Sequence, residues 1–377
     1  MFSNFFQSKS PSISKSLIQI KNVLKRKRKN SPKKNLSSDE RLLIKEITEK
    51  TMEWNKNNIT RTKAYLDYYL SHPELHWALL AHMVSRNAGW NMTDLKGEFL
   101  SKILSNKDRN AYFTFIERAN WLIFQDAYPQ LLIYEESQKR GQNLFYLLPY
   151  FHISIFMESV WNQYWKEQDS FLITAALIIN EQNYIESRVI RNQEFQEAVI
   201  STLEFTFQDF LSLNHILFPF MDEQKIKLKG LTVHQFEKLQ DRIRLGKQLY
   251  SVLFSNQEQL GMVVQWAMKH QHTGSRKDYW PHFFHEIYEG VPGKLVKPRI
   301  DSCKLKPGSA RIYSPKLEFA WENIQHKPAE IYEWFQDWRI IYFLNNSGDQ
   351  VEGLIEEAYC RTIKMLELAA FTKKVIF

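Results

Sequence analysis

HPELHWALLAHMVSRNAGWNMTDL runs from His72 to Leu95 and holds three histidines, an arginine, two asparagines and an aspartate among helix-forming apolar residues. Ser71 followed by Glu74 has the spacing of a capping box, in which a hydroxyl and a carboxylate satisfy backbone amides at a helix start. The spacing predicts a helix from about His72 to Arg86, stopped by Gly89. Trp77, Leu80, Ala81 and Val84 form its apolar stripe, while His82 and Arg86, four residues apart, share a second edge. At about 100° per residue, His82 points roughly 120° away from His76, so the histidines do not form one ligand set.

Asn87, Ala88, Gly89, Trp90 and Asn91 then read as a turn, with Asn91 or Thr93 capping a following helix that carries Leu95, Phe99, Leu100 and Ile103. Free amides at that start, beside His82 and Arg86, could hold a carboxylate or phosphate, with Asp94 competing for the same terminus. The plainer reading pairs Arg86 with Asp94 and lets the asparagines satisfy turn backbone. His82, Arg86, Asn87, Asn91 and Asp94 are the candidate binding residues, and no residue is assigned a catalytic role.

Beyond this stretch helix signals recur. Ser37 with Glu40 and Thr232 with Gln235 also fit capping boxes, and each precedes a run of helical period: Leu42, Leu43, Ile47 and Trp54, then Phe236, Leu239, Ile243, Leu249 and Leu253. The expectation is an all-α protein, a single domain of about a dozen helices over residues 37–377. KIKLKGLTV, Lys225 to Val233, alternates like a short strand, but Gly230 makes it read as a linker between helical halves. No repeat of 20 to 50 residues is visible.

The chain has 377 residues, 44% hydrophobic and 14% aromatic, enough for a substantial core. Its net charge of +8 is unevenly placed. Ten lysines and arginines and no acid lie within residues 1–36, which leaves 40 basic against 42 acidic residues in the remainder. This basic tail reads as disordered or amphipathic. Leu17, Ile20 and Leu24 at helical spacing beside lysines, with Phe2, Phe5 and Phe6 ahead of them, suit an anionic membrane surface. Lys25, Arg26, Lys27, Arg28 and Lys29 are the expected contacts, and the same charges would bind phosphate backbones. The apolar residues precede the charges and no h-region follows, so the segment is not read as a secretory signal.

Leu144 to Met157 and Phe171 to Ile179 are apolar but too short to span a bilayer, and both read as buried core helices. Trp161 with Trp165, and Trp334 with Trp338, have the four-residue spacing that lines one helix face. GxGxxG, a Walker loop and GxSxG are all missing, which argues against dinucleotide, nucleotide and elbow-type hydrolase readings. No cofactor is expected.

Glycines and prolines crowd into residues 274–316, predicting a long irregular segment with nine basic residues against four acidic ones, a net +5 that could meet an anion. Beside it, His270, His272, His282, His285 and Glu286 cluster, but their spacing matches no zincin or di-iron pattern, and no metal is assigned. Cys303 and Cys360 make no CxxC and read as free thiols of a reducing cytoplasm, with the Cys303 thiol beside Lys304. The sequons at Asn58 and Asn91 then carry no meaning.

TRTKAYLDYYLSHPELHWALLAHMVSRNAGWNMTDLKGE and the later RIYSPKLEFAW resemble the YppC-type family of uncharacterised Bacillus proteins, from roughly residue 40 to the C-terminus. The resemblance implies a bacterial intracellular setting and supplies no activity, cofactor or site residue. The preferred reading is a cytoplasmic helical binding or scaffold protein, peripheral to the inner face of the membrane, that contacts an anionic membrane or a protein partner through its tail. One alternative is a motif-less hydrolase or transferase with its site near Arg86 and Asp94 or at the His270 to Glu286 cluster. The other is nucleic-acid binding through the tail.

Overall fold

In a computed structural model the described residues are 15–26, 35–200, 215–233, 238–290, 297–345 and 353–376. They are mostly helical. The first half contains α1 (Lys15–Arg26), α2 (Ser38–Trp54), α3 (Asn58–Ser71), α4 (His76–Asp94), α5 (Leu100–Ile103), α6 (Asn106–Arg140), α7 (Ile155–Glu167) and α8 (Ser170–Ile185). A strand pair, β1 (His215–Asp222) and β2 (Lys225–Thr232), separates these from α9 (Leu239–Phe254) and α10 (Gln257–Lys269). Two-residue strands follow: β3 (Phe284–His285), β4 (Ile300–Asp301), β5 (Lys304–Leu305) and β6 (Ile312–Tyr313), before the final α11 (Glu356–Ile376).

Strictly all-α is therefore corrected to mostly helical with three small strand pairs: β1 with β2 and β4 with β5 antiparallel, β3 with β6 parallel. The alternation in KIKLKGLTV was the true signal. Gly230 does not end the strand. A Cβ there would lie 1.8 Å from the Ile216 carbonyl oxygen, so the residue must be glycine for the two strands to pair.

The capping box at Ser37 forms as its spacing demands, with the hydroxyl accepting from the Glu40 amide at 3.1 Å and the Glu40 carboxylate accepting from the Ser37 amide. The box expected at Ser71 does not form. Ser71 is the last residue of α3, whose Tyr65, Tyr68 and Tyr69 are buried, and the tertiary packing of that helix overrides the local capping signal. α4 starts at His76, after Leu75 and without a side-chain cap. Thr232 likewise ends β2; α9 starts after Lys238, and Gln235 and Phe236 lie outside the described residues.

α4 occupies the centre. It packs on α3, α6, α8 and β1, and Ala78, Leu79, Met83 and Trp90 are buried together with the expected Trp77 and Leu80; Ala81 and Val84 are half-buried. α8 is buried through Leu172 to Ile179, as its apolar run requires. Leu144 to Met157 is not one helix: a 3-10 stretch, Phe145–Phe151, ends at a left-handed His152 before α7 begins. Trp161 is buried on α7, but Trp334 precedes the 3-10 turn Trp338–Leu344, so the second tryptophan pair shares no helix. No described helix is long and apolar enough to cross a membrane.

The described part of the basic tail, α1, packs on α7 and on the Trp338–Leu344 turn. Leu17, Ile20 and Leu24 are buried there, and Lys21 and Lys25 each place their ammonium 4.4 Å from the Trp338 ring centre. Phe2, Phe5, Phe6, Lys27, Arg28 and Lys29 lie outside the described residues.

Candidate functional site

Helix α4 runs through the expected turn. Gly89 does not stop it, because its missing side chain has another use: a Cβ would stand 2.4 Å from both Asn58 Oδ1 and His272 Nε2. Those two atoms are hydrogen-bonded at 2.8 Å directly against the helix backbone. Asn58 Nδ2 donates to the Ser85 carbonyl, which fixes its oxygen towards His272.

Arg86, one turn before Trp90, is fully buried. It donates to the His270 carbonyl at 2.8 Å, lies 4.4 Å above the Trp266 ring and approaches Asp278 at 3.9 Å. Burial lowers its pKa to about 10, with Asp278 opposing, so it stays charged at neutral pH. His82 hydrogen-bonds the Thr62 carbonyl at 2.8 Å, and burial followed by the Arg86 charge holds its pKa well below the usual value. His272 is also lowered by burial and sits 3.6 Å from Asp278.

Asn87 serves β1. Its oxygen accepts from the Leu217 amide at 2.8 Å and its amide donates to the Leu217 carbonyl at 2.9 Å, so the side chain mimics a neighbouring strand. Asn91 accepts from Arg276 at 3.0 Å, and Asp94 is bound by the same guanidinium. The expected Arg86–Asp94 pair is thus corrected: each residue finds its partner in the segment after α10, Asp278 for Arg86 and Arg276 for Asp94. Once α4 continues as a helix, residues eight apart stand about 12 Å apart along the axis.

Arg276 completes its bonds at Tyr279 (2.7 Å) and Tyr359 (2.6 Å). Burial acts most strongly against its charge, but Asp94, Tyr279 and Tyr359 together outweigh burial and raise its pKa. The described residues of 273–317 are tied to α4 by Thr93 Oγ1, which donates to the Gly274 carbonyl, and to one another by Arg276 N donating to Ser314 Oγ and Leu317 N to the Thr273 carbonyl. A cleft of about 20 Å³, near the size of one water, lies beside it, with Asp94, Glu98, Arg276, Tyr313 and Tyr359 in its wall.

Five of the nine basic residues of this late segment meet the chain's own acids, Arg276 at Asp94 among them. Arg299 binds Glu98 and Glu367 at 2.9 Å each, Arg311 binds Glu289 at 2.5 Å, and Lys277 and Lys316 flank Glu286. Three of the carboxylates, Asp94, Glu98 and Glu367, come from outside the segment, which a local charge count misses. The histidines scatter: His270 stacks on Trp266, His282 touches Trp280 and His285 bonds the Ile287 backbone. Among the described residues no group of three His, Cys, Asp or Glu side chains is placed to hold a metal ion. Cys303 and Cys360 are not free thiols but form a disulfide.

Sequence reading overlooked Arg276 as an individual partner, and with it Asn58, Tyr279 and Tyr359. The usable clue was composition: a carboxylate and two asparagines on one helix, and arginines massed in one distant stretch.

These features define a helical protein whose polar centre is bonded largely within the chain, with Arg86 Nε and Nη2, His82 Nε2 and His272 Nδ1 buried without a hydrogen bond. The chain belongs to the family described as "Protein of unknown function (DUF2515)", whose profile matches residues 53–347. Uncharacterised protein YppC of Bacillus subtilis (strain 168) is 43% identical over 238 residues, 63% of this chain and 73% of that protein. No solved structure matches the chain.

Proposed function

We propose that the protein is a binding or scaffold protein of the cytoplasm that contacts an anionic membrane surface through its N-terminal basic segment. One observation carries this reading: α1 is docked by Leu17, Ile20 and Leu24, while Lys15, Lys25 and Arg26 remain exposed beside Ile18 and Val23. The docking consumes the apolar face that an inserting helix needs, so the contact is electrostatic, with Ile18 and Val23 as shallow anchors. The body supports a scaffold role because Arg86, Asn87, Asn91 and Asp94 direct their bonds to the protein itself. The family match covers residues 53–347 and does not include the basic segment, to which this reading assigns the membrane address.

Co-sedimentation with vesicles tests this. Full-length protein should pellet with phosphatidylserine-containing vesicles, not with neutral phosphatidylcholine, and should be released at about 0.5 M salt, where the Debye length is a few ångströms. Lys15→Glu/Lys25→Glu/Arg26→Glu should bind at least tenfold more weakly. Equal pelleting with neutral vesicles would overturn the reading, and tighter binding to duplex DNA than to anionic vesicles would replace it with the nucleic-acid alternative.

A further inference from the structure

Cys303 and Cys360 are joined across 57 residues with their Cα atoms 5.5 Å apart, inside the span a disulfide bridges. Cys303 is exposed and Cys360 buried. In the β4–β5 hairpin Ile300 pairs with Leu305 and Asp301 with Lys304, which leaves Ser302 and Cys303 as the whole turn. Their φ angles are 45° and 59°. Two consecutive left-handed residues are the signature of the tight hairpin turn that favours Asn-Gly, and here neither position is glycine. The bridged cysteine therefore sits in a turn that its own backbone disfavours.

On the other side, Cys360 follows Tyr359, whose hydroxyl reaches Arg276, and Ile363 and Leu366 further along α11 line the small cleft. Glu367 holds the base of the hairpin through the Arg299 and Ile300 amides and the Arg299 side chain.

We propose that Cys303–Cys360 is an exchangeable thiol–disulfide site, reduced and reoxidised by low-molecular-weight thiols and disulfides of the glutathione class, whose state decides whether the 300–305 turn is clamped to α11. This rests on the cytoplasmic placement proposed above, because a protein disulfide in a reducing compartment is transient. A reductant thiolate attacks the exposed Cys303 sulfur, the bond breaks, and Cys360 leaves as a thiolate that takes a proton from water. A second reductant thiol attacks the reductant's sulfur in the mixed disulfide and releases Cys303; two thiols are oxidised to one disulfide as the protein disulfide gains two electrons. The freed turn relaxes its left-handed residues, while Glu367 keeps the hairpin base in place.

The test equilibrates full-length protein in glutathione buffers from oxidising to reducing poise, counts thiols by maleimide mass and follows hydrogen exchange. Oxidised protein should take up no maleimide and reduced protein two, with exchange across the turn residues 301–304 and across 356–361 at least tenfold faster, and with the Arg299 and Ile300 amides and α4 unchanged. Cys303→Ser/Cys360→Ser should exchange like the reduced protein in every buffer, and the wild-type comparison stands alone if that variant does not fold. A bond that survives the most reducing buffer, two reactive thiols in the most oxidising one, or equal exchange in both states would each overturn the proposal. If the bond proves permanent while anionic vesicles still bind, only this inference fails.

Discussion

Replacing Arg276 with methionine should be among the most damaging single changes in the chain. The guanidinium is fully buried and serves Asp94, Asn91, Tyr279 and Tyr359. Methionine keeps most of the volume but leaves the Asp94 carboxylate, only 15% exposed, without its guanidinium, and breaking a buried pair from one side costs at most about 3–5 kcal/mol. At about 2.1 cal/mol/K per residue, a chain of 377 residues loses roughly 0.8 kcal/mol of stability per degree near its midpoint, so Tm should fall by at most about 4–6 °C. Urea titration followed by tryptophan fluorescence measures the loss directly. Arg276→Met combined with Asp94→Leu removes both charges and leaves the Tyr279–Tyr359 bond of 2.7 Å intact, so it should return to within about 1–2 kcal/mol of the wild type. A single mutant within about 1 kcal/mol of the wild type, or a double mutant equal to the sum of the two singles, would refute the coupling.

Gly89→Ala drives a methyl group into the Asn58–His272 bond and should cost about 1–3 kcal/mol by overpacking; an unchanged urea midpoint would contradict that contact. Breaking the disulfide should lower stability by up to about 4 kcal/mol, the loop entropy of a cross-link at a separation of 57 residues, measured as the difference between unfolding curves with and without reductant. Asp126, buried on α6, has its pKa pushed up to about 7 by burial, with Asn180 and Gln130 pulling it back. A carboxyl raised in the folded state binds more protons there, so its contribution to stability falls as pH rises from about 4 to about 7, by at most about 1.4 kcal/mol per pH unit. Asp126→Asn should flatten the stability profile across that window, and an identical slope in both proteins would count against the assignment.

The helices were legible where one signal dominated. Ser37 and Glu40 cap α2 as their spacing requires, and the apolar run of α8 is buried as its composition requires. Reading failed where a local signal met a distant partner. Ser71 has a cap's spacing but belongs to a helix held by buried tyrosines, and Gly89 reads as a stop only until His272 is brought against it. The five candidate residues illustrate the same limit. His82 stays within its own neighbourhood at Thr62, whereas Arg86, Asn87, Asn91 and Asp94 find partners from 130 to 185 positions away. Periodicity places a side chain on a face, and only the tertiary fold supplies what that face meets.

The described residues after α10 form a fixed wall of the body rather than a lid over a substrate. Native-state hydrogen exchange of the Thr273, Arg276, Ile312 and Leu317 amides distinguishes the two. None of these amides is bonded within a helix, yet each has a named acceptor: Asp278, Ser314 Oγ, Phe283 and Thr273 respectively. They should exchange as slowly as the buried amides of α4, through the same large-scale opening. Exchange within seconds, at the rate of an open loop, while α4 stays protected, would show a lid instead of a wall.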